Sequence, residues 1–315
     1  MATIQDYESF DCDADCEALN GAMEGLGTNE DMITETITKR SNAQRLEVKE
    51  RFPQMFGKRL EDALKDELGG NYEDVVLALF KSPVDLDASE LHDAIKGAGT
   101  SEGVLIEILC SRTNEEIASI KEAYTNLYDA DLLEDIESDT SGAFGKLMFS
   151  LAQGCRNEDE ELDQDLAAED AQALVDAGEA QWGTDESRFN VVLASRSYWH
   201  LIHVFDLYET LSEKKIEEAI ESEMSGDVKE AMLAIVKCVY DKTQYFCERI
   251  YNSMKGAGTD DRTLIRLVVS RSEIDLATIQ DYFAGKYEQT VSEFIEDDCG
   301  GDYKRALLHL CAGNN

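Results

Sequence analysis

Apolar residues recur along the chain at three- and four-residue intervals in short runs, and glycines or hydroxyl residues cut one run from the next. Leu60, Ala63, Leu64 and Leu68 form one such face and Val75, Val76, Leu79 and Phe80 another, with Gly69-Gly70 between them. That period predicts amphipathic helices, not strands, and the glycine pair reads as a helix stop. Ser41-Asn42-Ala43-Gln44 and Thr113-Asn114-Glu115-Glu116 have the form of capping boxes and predict the start of two further helices. Thr28, Thr100, Thr184 and Thr259 each precede acidic or polar residues and an apolar run, which predicts a threonine cap with carboxylates in the first turn. Prolines are restricted to Pro53 and Pro83, so little interrupts helix, and the second marks a junction between modules. The expected class is all-α.

The pattern repeats four times. Met23-Glu24-Gly25-Leu26-Gly27-Thr28, Ile95-Lys96-Gly97-Ala98-Gly99-Thr100, Gln181-Trp182-Gly183-Thr184 and Met254-Lys255-Gly256-Ala257-Gly258-Thr259 are followed by Glu67, Asp139, Glu223 and Asp298. Each carboxylate lies 40 residues after the glycine preceding the threonine, and an arginine lies 13 residues after that glycine, at Arg40, Arg112, Arg196 and Arg271. The loop glycines 27, 99, 183 and 258 stand 72, 84 and 75 residues apart, so each repeat has the size of a small helical domain. The longest interval holds an insertion at the acidic stretch 156–165, read as a solvated linker. Glycine lets the backbone turn so that several carbonyls face one way, and a hard cation such as calcium takes about six to eight oxygens. Three carbonyls and one bidentate carboxylate per loop would leave about two positions of a seven-oxygen shell for water or for a ligand's phosphate.

These residues resemble the annexin family, over nearly the whole chain from Asp15 to Cys311. Loop, arginine junction and distal acid are matched in all four copies, as are Gly70-Asn71-Tyr72, Gly142-Ala143-Phe144, Gly226-Asp227-Val228 and Gly301-Asp302-Tyr303, whose glycines lie 43 residues after the loop glycine. The resemblance implies four homologous five-helix repeats arranged as a curved disc with calcium loops on the convex face. A short tail at 1–14 would precede repeats at 15–83, 84–155, 166–240 and 241–315, with the linker at 156–165. Ca2+ is the implied cofactor. Carried over residue by residue, the carbonyls of Met23, Gly25 and Gly27 with Glu67 form site one, and those of Ile95, Gly97 and Gly99 with Asp139 form site two. Met254, Gly256 and Gly258 with Asp298 form site four. The third loop departs by insertion, so Gly178, Gln181 and Gly183 are its expected carbonyls, with Glu223 as acid. Shallow secondary sites at Glu30, Glu102, Glu186 or Asp261 compete with a simple helix-dipole role for those acids.

Charge complicates this picture. The chain carries 67 acidic against 29 basic residues, a formal net charge of −38. Four divalent ions would leave roughly −30, so attachment to anionic lipid must depend on the local loop surface, charges beyond about 8 Å being screened at physiological salt. Nucleic acid is excluded by the same sum and by the lack of a basic stripe. The eight cysteines show no metal-ligand spacing, and no apolar leader or span of about 20 apolar residues is present. Reduced thiols in the cytoplasm, and peripheral attachment to membranes when calcium rises, are the expectation. His92, His200, His203 and His309 have no repeated nucleophile or acid partner, and the Gly-Lys-Ser/Thr of a nucleotide loop is missing, so no enzyme is expected. Asp11-Cys12-Asp13-Ala14-Asp15 imitates the start of an EF-hand but puts Cys16 at the glycine position and Ala22 at the glutamate position.

Trp182, beside a ligand glycine, is read as exposed and as a membrane contact among lipid headgroups. Trp199 is read as core. The four repeated arginines are read as binding helix-end carbonyls within each module. Glu90, Glu107, Arg112 and Arg266 resemble the charged lining of the annexin channel and are read as structural ion pairs. The function expected is calcium-dependent binding to anionic phospholipid membranes, with homo-oligomers on the membrane an open option and protein partners unspecified. The competing class is a soluble helical calcium-binding scaffold acting through protein partners.

Overall fold

The computed structural model describes residues 1–25, 27–97, 99–178, 186–256 and 258–314, and among these the regular structure is entirely helical. The first repeat supplies α1 (Cys12–Ala22), α2 (Glu30–Thr38), α3 (Asn42–Phe56), α4 (Leu60–Glu67) and α5 (Gly70–Leu79). The second supplies α6 (Pro83–Lys96), α7 (Glu102–Ser111), α8 (Asn114–Tyr128), α9 (Leu132–Asp139) and α10 (Gly142–Ala152). Next come α11 (Gln164–Gly178), α12 (Glu186–Ser195), α13 (Tyr198–Ser212), α14 (Ile216–Glu223) and α15 (Gly226–Met254), then α16 (Asp261–Arg271), α17 (Leu276–Tyr287), α18 (Val291–Asp298) and α19 (Gly301–Ala312). α15 is two helices in one run, broken at Asp241 with φ −161° and ψ 102°. The Asp241 carboxylate accepts from the Thr243 and Gln244 N–H groups and so caps the second half. Counted as two, α15 completes five helices in each of four repeats.

The capping boxes form as the sequence predicts. Ser41 and Gln44, and Thr113 and Glu116, exchange side-chain and backbone bonds at the starts of α3 and α8, and Thr290 with Glu293 adds a third box at α18. Leu60, Ala63 and Leu64 are buried on α4, and Val75, Val76 and Leu79 on α5. The glycine pair between them does not stop a helix. Gly69 precedes α5 and Gly70 is its first residue, at φ 61°.

The chain packs as two compact units, one made of Met1–Leu86 with Phe246–Asn315 and the other of Asp87–Tyr245. In the first unit the tail is extended, not helical, and lies against the last repeat. The Thr3 and Ile4 N–H groups donate to the Ser272 carbonyl at 2.8 and 3.0 Å, Ala277 N–H donates to the Met1 carbonyl at 2.9 Å, and Ile4 is 1% exposed. Asn314 accepts from Gln5 N–H and donates to the carbonyls of Gln5 and Lys39. The acids of the EF-hand-like stretch serve structure: Asp11 caps α1, Asp13 pairs with Arg51 and Asp15 with Arg40. In the second unit the acidic linker is docked at its start. Asn114 bonds Arg156 through both its amide nitrogen and its oxygen, and Asn157 N–H donates to the Ser195 carbonyl, while residues 159–161 are exposed.

The repeated arginines require a correction, because their partners are carboxylates. Arg40 grips Asp15 at 2.6 and 2.7 Å, Arg112 grips Asp87 at 2.7 and 2.9 Å, and Arg196 grips Asp170 at 2.6 and 3.1 Å. Each pair joins the first helix of a repeat to the end of its second, which a bidentate fork does with fixed geometry. The fourth repeat differs: Arg271 bonds Asp275 at 2.7 Å and lies 4.2 Å over the Phe246 ring. Other arginines bind helix-end carbonyls: Arg45, buried, donates to Leu79, Ile37 and Arg40, and Arg156 donates to Arg196 at 2.7 Å. Trp199 is also corrected. It is 48% exposed on α13, edge-on to His203, and is not part of the core.

Candidate metal-binding loops

All four distal acids occupy the same structural position. Glu67, Asp139, Glu223 and Asp298 are the last residues of α4, α9, α14 and α18, each of which has 8 residues. Those short helices are held by their apolar faces: Leu60, Ala63 and Leu64; Leu132 and Ile136; Ile216, Ala219 and Ile220; and Val291 and Ile295. The residue after each acid is extended, and two residues further on Gly70, Gly142, Gly226 and Gly301 take φ of 61, 64, 61 and 60°. A side chain at those angles is strained, so glycine lets the next helix start without burying the acid. All four carboxylates are exposed.

The facing loops begin at the buried side chains of Met23, Ile95 and Met254, which fix the last turn of the preceding helix. Gly25 and Gly27 have φ of 106 and 88°, Gly256 and Gly258 112 and 95°, and Gly99 96°. A Cβ built at any of these five would meet nothing within 4 Å, so their glycine character serves backbone direction, not packing. Gly97 is the exception, with no left-handed φ. In the third repeat Gly178 ends α11 and Glu223 ends α14. Gln181, Trp182 and Gly183 lie outside the described residues.

The threonines do something the sequence reading missed. Thr28 Oγ1 donates to Glu67 Oε2 at 2.8 Å and Thr100 Oγ1 to Asp139 Oδ2 at 2.6 Å, across 39 residues in both cases. Neither is the helix cap expected of it. Asn29 caps α2 and Asp260 caps α16, one residue later than predicted, and Ser101 at the start of α7 makes no side-chain cap bond. The available signal was the constant threonine-to-acid spacing, which a cap does not require. Glu30, Glu102, Glu186 and Asp261 sit in the first turns of α2, α7, α12 and α16, where helix dipoles favour them.

The chemistry of the donor set can be tested directly. Among the described residues no three His, Cys, Asp or Glu side chains converge, so a cation at these loops would draw on one carboxylate and on main-chain carbonyls. Oxygen donors in an open, solvent-facing arrangement suit a hard divalent ion, and the residues present fit calcium. In front of loop one a recess of about 620 Å³ is lined by Glu24, Thr28, Asp31, Asp302 and Arg305. A cleft of about 640 Å³ between α10 and α12, lined by Phe149, Val191 and Cys155, contains none of the four acids. His200 is buried with its Nε2 3.0 Å from Asp170, already held by Arg196, and so belongs to the scaffold.

The family model described as Annexin matches residues 14–79, 86–151, 169–235 and 245–310. Human Annexin A13 is 49% identical over 303 residues, covering 96% of this chain and 96% of that protein. The structure of chicken annexin V superposes with a TM-score of 0.93 at 47% identity, over 99% of each chain. The structure titled calcium-bound annexin (Sm)1 does so with a TM-score of 0.86 at 29% identity, over 100% of this chain and 94% of that one.

Proposed function

The chain belongs to the annexin family, and from that premise we propose that it binds anionic phospholipid membranes reversibly, with calcium linking its loop oxygens to lipid phosphate. The observation that carries this reading is the fourfold placement of an exposed carboxylate at the end of an eight-residue helix, bonded in the first two repeats to the threonine of the glycine loop. Recognition, not turnover, is the chemistry. Glu67 with the carbonyls of Met23, Gly25 and Gly27 would hold one ion, Asp139 with those of Ile95, Gly97 and Gly99 a second, and Asp298 with those of Met254, Gly256 and Gly258 another. Glu223 would serve the third loop with Gly178, Gln181 and Gly183. Calcium, when bound, supplies positive charge with vacant positions that a phosphate oxygen can fill.

Vesicle co-sedimentation tests this. With calcium the protein should pellet with phosphatidylserine vesicles, and with chelator it should stay in solution even at low salt, where its formal charge of −38 is least screened. Chelator-resistant binding that strengthened as salt fell would replace the calcium bridge by a basic patch.

Trp182 is the aromatic of the third loop, and in this reading it enters the headgroup layer. In a Trp199→Phe variant, which leaves Trp182 as the sole tryptophan, emission should shift to the blue when calcium and vesicles are both present. Quenchers carried on lipid near the interface should then dim it. Emission already blue without calcium, and unmoved by vesicles, would place Trp182 inside its own repeat.

A further inference from the structure

We propose that Thr28 and Thr100 are positioning residues for the bound cation: each uses its hydroxyl to hold one oxygen of the distal carboxylate so that both oxygens face the glycine loop. The inference rests on the calcium reading above and adds to it a role for a residue outside the ligand set.

Three observations carry it. The same bond forms in two repeats whose acids differ in length, Glu67 and the one-methylene-shorter Asp139, so it is not an accident of one side chain's reach. Both acids are exposed at a helix end, where an untethered carboxylate would sample several rotamers, and fixing one in advance removes an entropy loss from cation binding. In the second repeat α7 lacks a side-chain cap bond, yet Thr100 gives its hydroxyl to the acid and leaves the helix start without it. The hydroxyl is directed to the carboxylate even where a cap is wanting.

The geometry is compatible with ligation. An ionised carboxylate has two oxygens with about four lone-pair positions, so an oxygen that accepts from threonine keeps a lone pair for the metal. Partners of this kind, one bond removed from the ion, change affinity by roughly 10- to 100-fold when removed.

The test uses the full chain with Asp139→Ala, Glu223→Ala and Asp298→Ala, leaving site one. In that background Thr28→Val, which keeps the shape and removes the hydroxyl, should weaken calcium binding roughly tenfold. The luminescence lifetime of terbium bound at the site should report about one more coordinated water, as the carboxylate passes from two-oxygen to one-oxygen ligation. Thr28→Ser should restore both. Wild-type affinity and water count in Thr28→Val would overturn the proposal, as would failure of serine to rescue, which would show that a hydroxyl at this position is not what sets the affinity. A Glu67→Ala arm separates the two levels. If it abolishes binding while Thr28→Val changes nothing, only the threonine role falls; if it leaves binding intact, the calcium reading of this loop falls with it.

Discussion

Replacing Glu67, Asp139, Glu223 and Asp298 together by alanine should abolish calcium-dependent sedimentation with phosphatidylserine vesicles and leave the helical circular dichroism unchanged. The two halves of this expectation have separate causes. Each acid is the one charged ligand proposed for its loop, so without it the ion would be held by neutral carbonyls alone. The fold should not suffer, because all four acids are exposed and stand at helix C-termini. A carboxylate there opposes the helix dipole, and its removal is neutral or mildly stabilising. Single replacements should raise the calcium threshold modestly, since linked contacts to one surface bind more tightly together than any one alone. A quadruple variant that still pelleted at the wild-type calcium threshold would end the bridging model.

The largest effect on stability is expected at Asp87. Its carboxylate and the Arg112 guanidinium are 7% and 8% exposed, the most enclosed of the repeated arginine–carboxylate pairs. Burial pulls the Arg112 pKa down, but the charge and hydrogen bonds of Asp87 more than reverse this and leave it raised. Asp87→Ala strands a buried cation and should cost about 3–5 kcal/mol, read as a lower urea midpoint for the second unit. Asp170→Ala should cost less, because Arg196 is 29% exposed and water can take over its solvation. Replacing Arg112 and Asp87 together by methionine and leucine should recover most of the loss, since no unpaired charge then remains. Equal midpoints for Asp87→Ala and wild type would show that the pair does not hold the second repeat together.

Helices and their repetition were readable because both are local: the three-four period, the capping boxes and the 40-residue spacing each concern the chain's own register. The recurrence of Gly70, Gly142, Gly226 and Gly301 was readable in the same way, but their role was not: Gly69-Gly70 reads as a helix stop, whereas Gly70 opens α5 at φ 61°. What could not be read was partner choice. Thr28 looks like a cap from its neighbours, and only the fold brings Glu67 to 2.8 Å from its hydroxyl. Asp15 on α1 and Arg40 just past the end of α2 lie 25 residues apart, and no helical or strand period connects them. Trp199 stands on a helix whose other face is core, and its register alone did not distinguish the two sides.

The arginine pairs also bear on which pieces of one repeat can be exchanged for those of another. Three repeats place an acid 25 or 26 residues before the arginine, while the fourth has Phe246 there and Asp275 four residues after Arg271. With Phe246 at the upstream position, Arg271 depends on Asp275, and without that acid it would be a nearly buried guanidinium lacking a carboxylate. A chimaera that moves the Phe246 helix into another repeat without Asp275 should therefore lose stability, whereas one that moves both together keeps the arginine paired.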